Sequence, residues 1–212
     1  MLTVQLYLQR EFYNMIAIID YGAGNLFSVQ NALNYLEIPN IVTKNAEDLR
    51  KADKLILPGV GAFPDAMRML SETGLIEVIK EEVQKKPLLG ICLGMQMLFE
   101  KGYEFGETEG LGFIKGTVEL MTPPGLVIPQ IGWNKLEMNE DCKILEGLSD
   151  DSYVYFVHSY AAVCDSKNVA AYTDYGGKVP ACVFSGNVYG CQFHPEKSGE
   201  TGLRILKNFA EM

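Results

Sequence analysis

At 212 residues the chain is long enough to build one sizeable core, and 48% hydrophobic with 21% charged residues is ordinary for a globular protein. A formal net charge of −9 argues against nucleic acid or an anionic membrane as the main partner. Five cysteines without paired spacing fit a reducing, cytoplasmic compartment rather than a disulfide framework, and no stretch approaches the roughly 18 to 20 apolar residues of a membrane span.

Residues 1–14 do not share the pattern of the remaining chain. Arg10 and Glu11 stand where a signal peptide needs an apolar core. The segment reads as an N-terminal extension outside the fold, with no assigned function, and the folded pattern starts at Met15. Residues 15–212 read as a single domain, because no linker, repeat or low-complexity tract divides them.

Residues 16–19 form a short apolar strand, followed by the loop Asp20-Tyr21-Gly22-Ala23-Gly24-Asn25. A helix is expected over 26–37, with Leu26, Val29, Leu33 and Leu36 at helical spacing. Gly22-x-Gly24 is too short for a dinucleotide fingerprint. Residues 41–43 and 54–57 read as strands around a polar helical turn, and the second runs into Pro58-Gly59-Val60-Gly61-Ala62-Phe63. Glycines around Val60 allow backbone conformations closed to most residues and expose N–H groups to whatever lies beside them. An ordinary βα turn would also use glycine here.

Helical patterns cover 63–71 and 75–85, and a buried strand then ends at Ile91. A helix is expected over 93–99. Beyond Gly102 the pattern turns to strands, at 113–121, 129–138, 153–163, 169–175 and 181–193, with Ser185-Gly186-Asn187 as a hairpin turn. An amphipathic helix over 198–212 closes the chain. The expected class is therefore α/β: a doubly wound, mostly parallel sheet flanked by helices, with antiparallel strands added in the C-terminal half.

The junction after Ile91 carries the chemistry. Gly90-Ile91-Cys92-Leu93-Gly94 is a Gly-x-Cys-x-Gly pattern, the cysteine counterpart of the nucleophile elbow. Such a turn strains the central residue and projects its side chain at the carboxyl end of the sheet, where ligands of doubly wound folds bind. The N–H groups of the following helix favour a thiolate there. An inert buried cysteine is the plainer alternative.

Only two histidines are present, His158 and His194. His194-Pro195-Glu196 ends a strand, so His194 and Glu196, two apart in an extended segment, point to one side. That suits a general base and the carboxylate orienting it. A strand-end histidine with a solvated glutamate, or half of a metal site in Cys191-x-x-His194, are alternatives, the latter weak without a second ligand pair.

Gly90-Ile91-Cys92-Leu93-Gly94-Met95-Gln96 together with His194-Pro195-Glu196 resembles the class I (triad) glutamine amidotransferases. Asp20-Tyr21-Gly22-Ala23-Gly24-Asn25, Pro58-Gly59-Val60-Gly61-Ala62-Phe63, Pro129-Gln130-Ile131-Gly132-Trp133-Asn134 and His194-Pro195-Glu196-Lys197-Ser198 are similar, more narrowly, to glutaminase subunits of imidazole glycerol phosphate synthases, from Met15 to the C-terminus. The resemblance implies that Cys92 attacks the glutamine amide, that His194 moves the protons and that Glu196 orients it. It assigns the oxyanion to N–H groups of Leu93 and of the 59–61 loop, through Val60 or Gly61. Gly59, Gln96, Glu104, His158, Ser159 and Tyr160 match positions that hold glutamine. No metal or organic cofactor is implied.

The implied partner is a cyclase subunit that consumes the ammonia, in a heterodimer of histidine biosynthesis. Asn25, Trp133 and Lys197 are expected at the docking face. The alternatives are an amidase or glutaminase serving another synthase, and a non-catalytic module of the same fold. The intact Cys92, His194 and Glu196 set speaks against the module.

Overall fold

In this computed structural model the described residues are 15–149 and 151–212, so the extension expected at residues 1–14 lies outside them. The elements in chain order are β1 (Ile16–Ile19), α1 (Leu26–Tyr35), β2 (Asn40–Thr43), α2 (Ala46–Lys51), β3 (Lys54–Gly59), α3 (Phe63–Glu72), α4 (Ile76–Glu82), β4 (Leu88–Cys92) and α5 (Leu93–Gln96). The second half adds β5 (Phe99–Gly102), β6 (Thr108–Glu109), β7 (Ile114–Leu120), β8 (Gln130–Lys135), β9 (Glu137–Met138), β10 (Tyr153–His158) and β11 (Tyr160–Val163). It closes with β12 (Val169–Asp174), β13 (Lys178–Ser185), β14 (Val188–Cys191) and α6 (Gly199–Glu211).

The main sheet has eight strands in the order β2-β1-β3-β4-β14-β13-β12-β9. Neighbours from β2 to β14 pair in parallel, while β13, β12 and β9 continue antiparallel. The uninterrupted apolar runs of β1, β3 and β4 have a direct cause: helices cover both faces, so alternate residues enter two different cores. Ala17, Ile19, Leu55, Leu57 and Leu88 pack with Leu49, Leu70 and Ile79 from α2, α3 and α4. Ile16, Ile18, Ile56, Leu89 and Ile91 pack on the other side with Val29 and Leu33 of α1 and Leu206 and Phe209 of α6. This is the expected doubly wound arrangement, and the carboxyl ends of β1, β3 and β4 share one edge.

Three expectations change. The helix after Cys92 is a single turn rather than a run to residue 99, because Phe99 leaves to pair with Ile114 in parallel. The strands of the second half do not all extend the main sheet. β8 and β10 form a separate antiparallel pair, and β11-β7-β5-β6 a separate four-stranded sheet. Finally, the run expected over 153–163 breaks at Ser159, whose carbonyl accepts from Met121 N–H at 2.9 Å, so that β10 and β11 serve different sheets. The hairpin at Gly186-Asn187 forms as expected, with Ser185 paired to Val188.

Candidate active site

Cys92 ends β4 with φ 56° and ψ −113°, a backbone conformation uncommon and costly for a residue with a side chain. The neighbouring Gly94 is required by close approach: a Cβ there would run into the Leu57 carbonyl of β3. The elbow thus packs its first helical turn directly on the strand beside it. Cys92 is almost wholly buried, at 7% exposure.

The His194-Pro195-Glu196 segment reaches the thiol from β14, which pairs with β4 in parallel. β14 ends at Cys191, and His194 begins a 3-10 turn over Pro195–Lys197 rather than continuing a strand. The two side chains therefore meet by turning, not by strand alternation. Glu196 Oε1 lies 2.7 Å from His194 Nδ1, with both side chains buried. β10 braces the turn twice: His194 N–H donates to Tyr155 O at 3.0 Å, and Tyr155 N–H donates to Ser198 Oγ at 3.0 Å.

Burial works against charge on His194, yet hydrogen bonding to Cys92 and Glu196, and their negative charge, outweigh it and raise its pKa to about 9. The sulfur's other partners are the Val157 carbonyl and Gln192 Nε2, each at 4.0 Å. Glu196 Oε2 is buried and, among the described residues, has no hydrogen-bond partner. Asn25 Nδ2 sits 3.5 Å from Glu196 Oε1, so this residue, expected at a docking face, is half-buried and directed at the carboxylate.

A cavity of about 380 Å³ opens over Cys92. Leu93, Val60 and Gly61 line one wall, and Gln96, Glu104, His158, Ser159 and Tyr160 line the rest. Gly59 stands behind that wall, in register with Cys92 across β3 and β4. Lys197, also expected at a docking face, lines the cavity while remaining exposed. Trp133 lies on β8, 54% exposed, with its ring edge-on to Tyr155 at 6.0 Å. It is not a core tryptophan.

Several lining residues are committed to the protein itself. Gln96 Nε2 donates to Tyr160 O at 2.9 Å and to Gln192 Oε1 at 3.0 Å, which leaves its Oε1 for the cavity. Glu104 Oε2 accepts from the Phe63 N–H at 2.7 Å. His158 meets Tyr160 O at 2.8 Å through Nδ1 and Gln130 Oε1 at 3.0 Å through Nε2. A carbonyl only accepts, so Nδ1 carries a proton. Burial, opposed by that bond and assisted by the charge of His194, lowers its pKa to about 4, and the ring is neutral at pH 7. Gln130 is held on its other side as well, its Nε2 donating to Asn134 Oδ1 at 3.0 Å.

Among the described residues no group of three His, Cys, Asp or Glu side chains gathers as a metal would need. The Cys191-x-x-His194 pair does not converge: Cys191 Sγ packs 3.9 Å from Cys182 Sγ, while His194 faces Cys92. Gln192 belongs to no motif that marks it in the sequence. Its one signal is a polar residue inside the apolar run Val188 to Phe193, where a buried amide has to find partners.

The arrangement can do acyl-transfer chemistry: a strained thiol, an imidazole beside it, a carboxylate on the far nitrogen and glycine-flanked N–H groups across the cavity. The model of the family "Glutamine amidotransferase class-I" matches residues 17–212. A protein of Caldanaerobacter subterraneus subsp. tengcongensis, imidazole glycerol phosphate synthase subunit HisH, is 54% identical over 200 residues, covering 93% of this chain and 98% of its own. The subunit of the same name from Bacillus thuringiensis is 50% identical over 196 residues, covering 92% and 93%. A solved glutamine amidotransferase superposes with a TM-score of 0.73 at 22% identity, covering 92% of this chain and 97% of its own. PurLQS from Thermotoga maritima gives 0.73 at 17% identity, covering 94% and 98%, and these two likenesses speak for the fold. With a family model spanning residues 17–212 and relatives at half identity or more along nearly its whole length, this chain belongs to the class-I glutamine amidotransferases.

Proposed function

We infer that the chain is the glutaminase subunit of an imidazole glycerol phosphate synthase, releasing ammonia from glutamine for a cyclase partner. The identity to two subunits of that enzyme supports it, and the observation that carries the chemistry is the strained Cys92 facing a buried His194–Glu196 pair inside one cavity. In this reading residues 15–212 act as one amidotransferase domain in the cytoplasm. Among the described residues no helix is long and apolar enough to cross a membrane.

In the first half-reaction His194, its pKa raised to about 9, already holds the proton from Cys92 as the sulfur attacks the side-chain amide carbon of glutamine. The tetrahedral oxyanion is met by the Leu93 N–H, at the start of α5, and by an N–H from the 59–61 segment. Losing one such donor typically raises a barrier by about 3 to 4 kcal/mol. His194 then gives its proton to the leaving nitrogen, so ammonia departs and a γ-glutamyl thioester remains on Cys92. In the second half-reaction His194 activates a water, glutamate leaves and the thiol is restored. Glu196 holds Nδ1, so that Nε2 does the proton transfers.

The amino-acid end of glutamine lies against Gln96 Oε1, Glu104 and the backbone of Ser159 and Tyr160. His158 shapes the wall from behind, since both its ring nitrogens are engaged. Ammonia made in open water would be protonated and lost, so a partner has to seal the cavity mouth. The half-exposed Trp133, the 61% exposed Ile131 beside it and Lys197 at the rim suit that role.

The test is glutamine hydrolysis with and without the cyclase subunit and its nucleotide substrate, with mass analysis of acid-quenched Cys92 peptides. The expected result is a γ-glutamyl adduct on Cys92 and hydrolysis that rises when partner and nucleotide are present. An adduct on another residue, or hydrolysis indifferent to the partner, contradicts it.

A further inference from the structure

Gln192 is fully buried between β14 and His194, with its backbone N–H donating to Ala181 O at 2.8 Å. Its side chain joins the nucleophile to the far wall of the cavity. The direction of the linkage follows from one backbone carbonyl. Tyr160 O can only accept, so Gln96 must present its NH₂ to it. The second hydrogen of that NH₂ goes to Gln192 Oε1 at 3.0 Å. This fixes the Gln192 amide with its own NH₂ directed at Cys92 Sγ, 4.0 Å away. An amide whose orientation is normally ambiguous has only one consistent placement here.

The sulfur therefore lies between a donor, Gln192 Nε2, and an acceptor, Val157 O, both at 4.0 Å. A neutral thiol satisfies both, giving its hydrogen to Val157 and accepting from Gln192. Once the proton has gone to His194, the carbonyl repels the sulfur, and the Gln192 N–H favours it alongside the imidazolium. We propose that Gln192 is a further residue of the reaction, a neutral donor that holds the Cys92 sulfur in its attacking state and couples it, through Gln96, to occupation of the glutamine cavity. This rests on Cys92 being the nucleophile.

The coupling has a definite sense. Glutamine bound at Gln96 Oε1 polarises the Gln96 amide and strengthens its donation to Gln192, which in turn makes the Gln192 NH₂ a better donor to sulfur. Substrate in the cavity thereby prepares the nucleophile, and an empty cavity leaves it less prepared.

Two variants separate the two ends of this linkage, measured on the chain paired with its cyclase subunit. Gln192→Glu keeps an acceptor for Gln96 but sets a carboxylate against the sulfur, so kcat for glutamine should fall about a hundredfold while KM stays within about threefold of wild type. Gln192→Met keeps the volume and loses both functions, so kcat should fall about tenfold and KM should rise. Alkylation of Cys92 by iodoacetamide, read on its own peptide, should slow in both. Gln96→Met frees Gln192 to rotate, and should slow the same alkylation even where glutamine is absent. A merely structural Gln192 would leave kcat, KM and alkylation unchanged in Gln192→Met, or lower them together with thermal stability in both variants, and either result overturns the proposal. If a Cys92→Ala control still hydrolysed glutamine, the nucleophile assignment would fall first, and the Gln192 proposal with it.

Discussion

The Glu104 carboxylate accepts a 2.7 Å hydrogen bond from the Phe63 N–H, the first residue of α3 and the second after Gly61. Helix N-termini leave N–H groups without partners, and here Ala62 occupies the capping position with no side chain to offer. A carboxylate from a distant loop takes that place, favoured by the helix dipole. One residue lining the cavity over Cys92 thus anchors the segment expected to supply an oxyanion donor.

Glu104→Ala should for this reason raise KM and lower kcat together, by about tenfold in kcat, because substrate contact and oxyanion alignment are lost at once. Glu104→Gln keeps an acceptor for Phe63 and should recover most of kcat while KM stays high. Steady-state kinetics of the two variants decide it. A pure KM effect in Glu104→Ala would mean the anchor is idle.

Gly61 has φ +98°, closed to proline and strained for other residues, yet a Cβ there would meet nothing within 4 Å. Gly61→Ala should cost about 1 to 3 kcal/mol of stability through backbone strain alone, and shift how strongly the cyclase ligand stimulates hydrolysis. Gly61→Pro cannot hold this φ, so the 59–61 segment must rearrange, and stimulation should be blunted more than glutamine binding. Unaltered stimulation in both variants would remove the 59–61 segment from control.

His158 provides a pH signature. Its pKa is lowered from 6.5 to about 4 by burial, so its stabilising contribution is complete above pH 6.5 and is lost as pH falls toward 4. Urea unfolding of wild type against His158→Gln should show the wild-type advantage shrinking by about 2 kcal/mol between pH 7 and pH 5. His194 behaves oppositely. With its pKa raised to about 9, its contribution is complete below pH 6.5 and is lost as pH rises through 9. Glu196→Gln should therefore be most destabilised relative to wild type near pH 6, and least near pH 10. A gap that does not vary with pH would contradict either assignment.

Much of this site is legible in the chain because its pieces are local. The elbow needs only Gly90, Cys92 and Gly94 in a row, and the His194–Glu196 pair is two residues apart. What the residues alone do not display is contact across distance: Gln192 lies 100 positions from Cys92, and Glu104 lies 41 from Phe63. Phe99 fails for another reason. Its apolar neighbours suit a helix as well as a strand, and only pairing with Ile114 settles which forms. The two small sheets share that ambiguity, since alternation shows a strand but not its neighbours.

Trp133 and Lys197 are the residues expected at a partner's docking face. Trp133→Ala should weaken association with the cyclase subunit by about 2 kcal/mol or more, and Lys197→Ala should reduce stimulation, while each variant folds alone. Trp133 is the only tryptophan of the chain, so its emission should shift on docking once the partner's own signal is subtracted. Unchanged emission, with both variants responding like wild type, would place the interface elsewhere.

That Cys92 makes ammonia for a separate synthase site is tested most directly by one comparison. The complex containing Cys92→Ala is given either glutamine or an ammonium salt, and formation of the cyclase product is followed. Synthesis from glutamine should disappear while synthesis from ammonium persists at the wild-type rate. Continued synthesis from glutamine would contradict the role of Cys92.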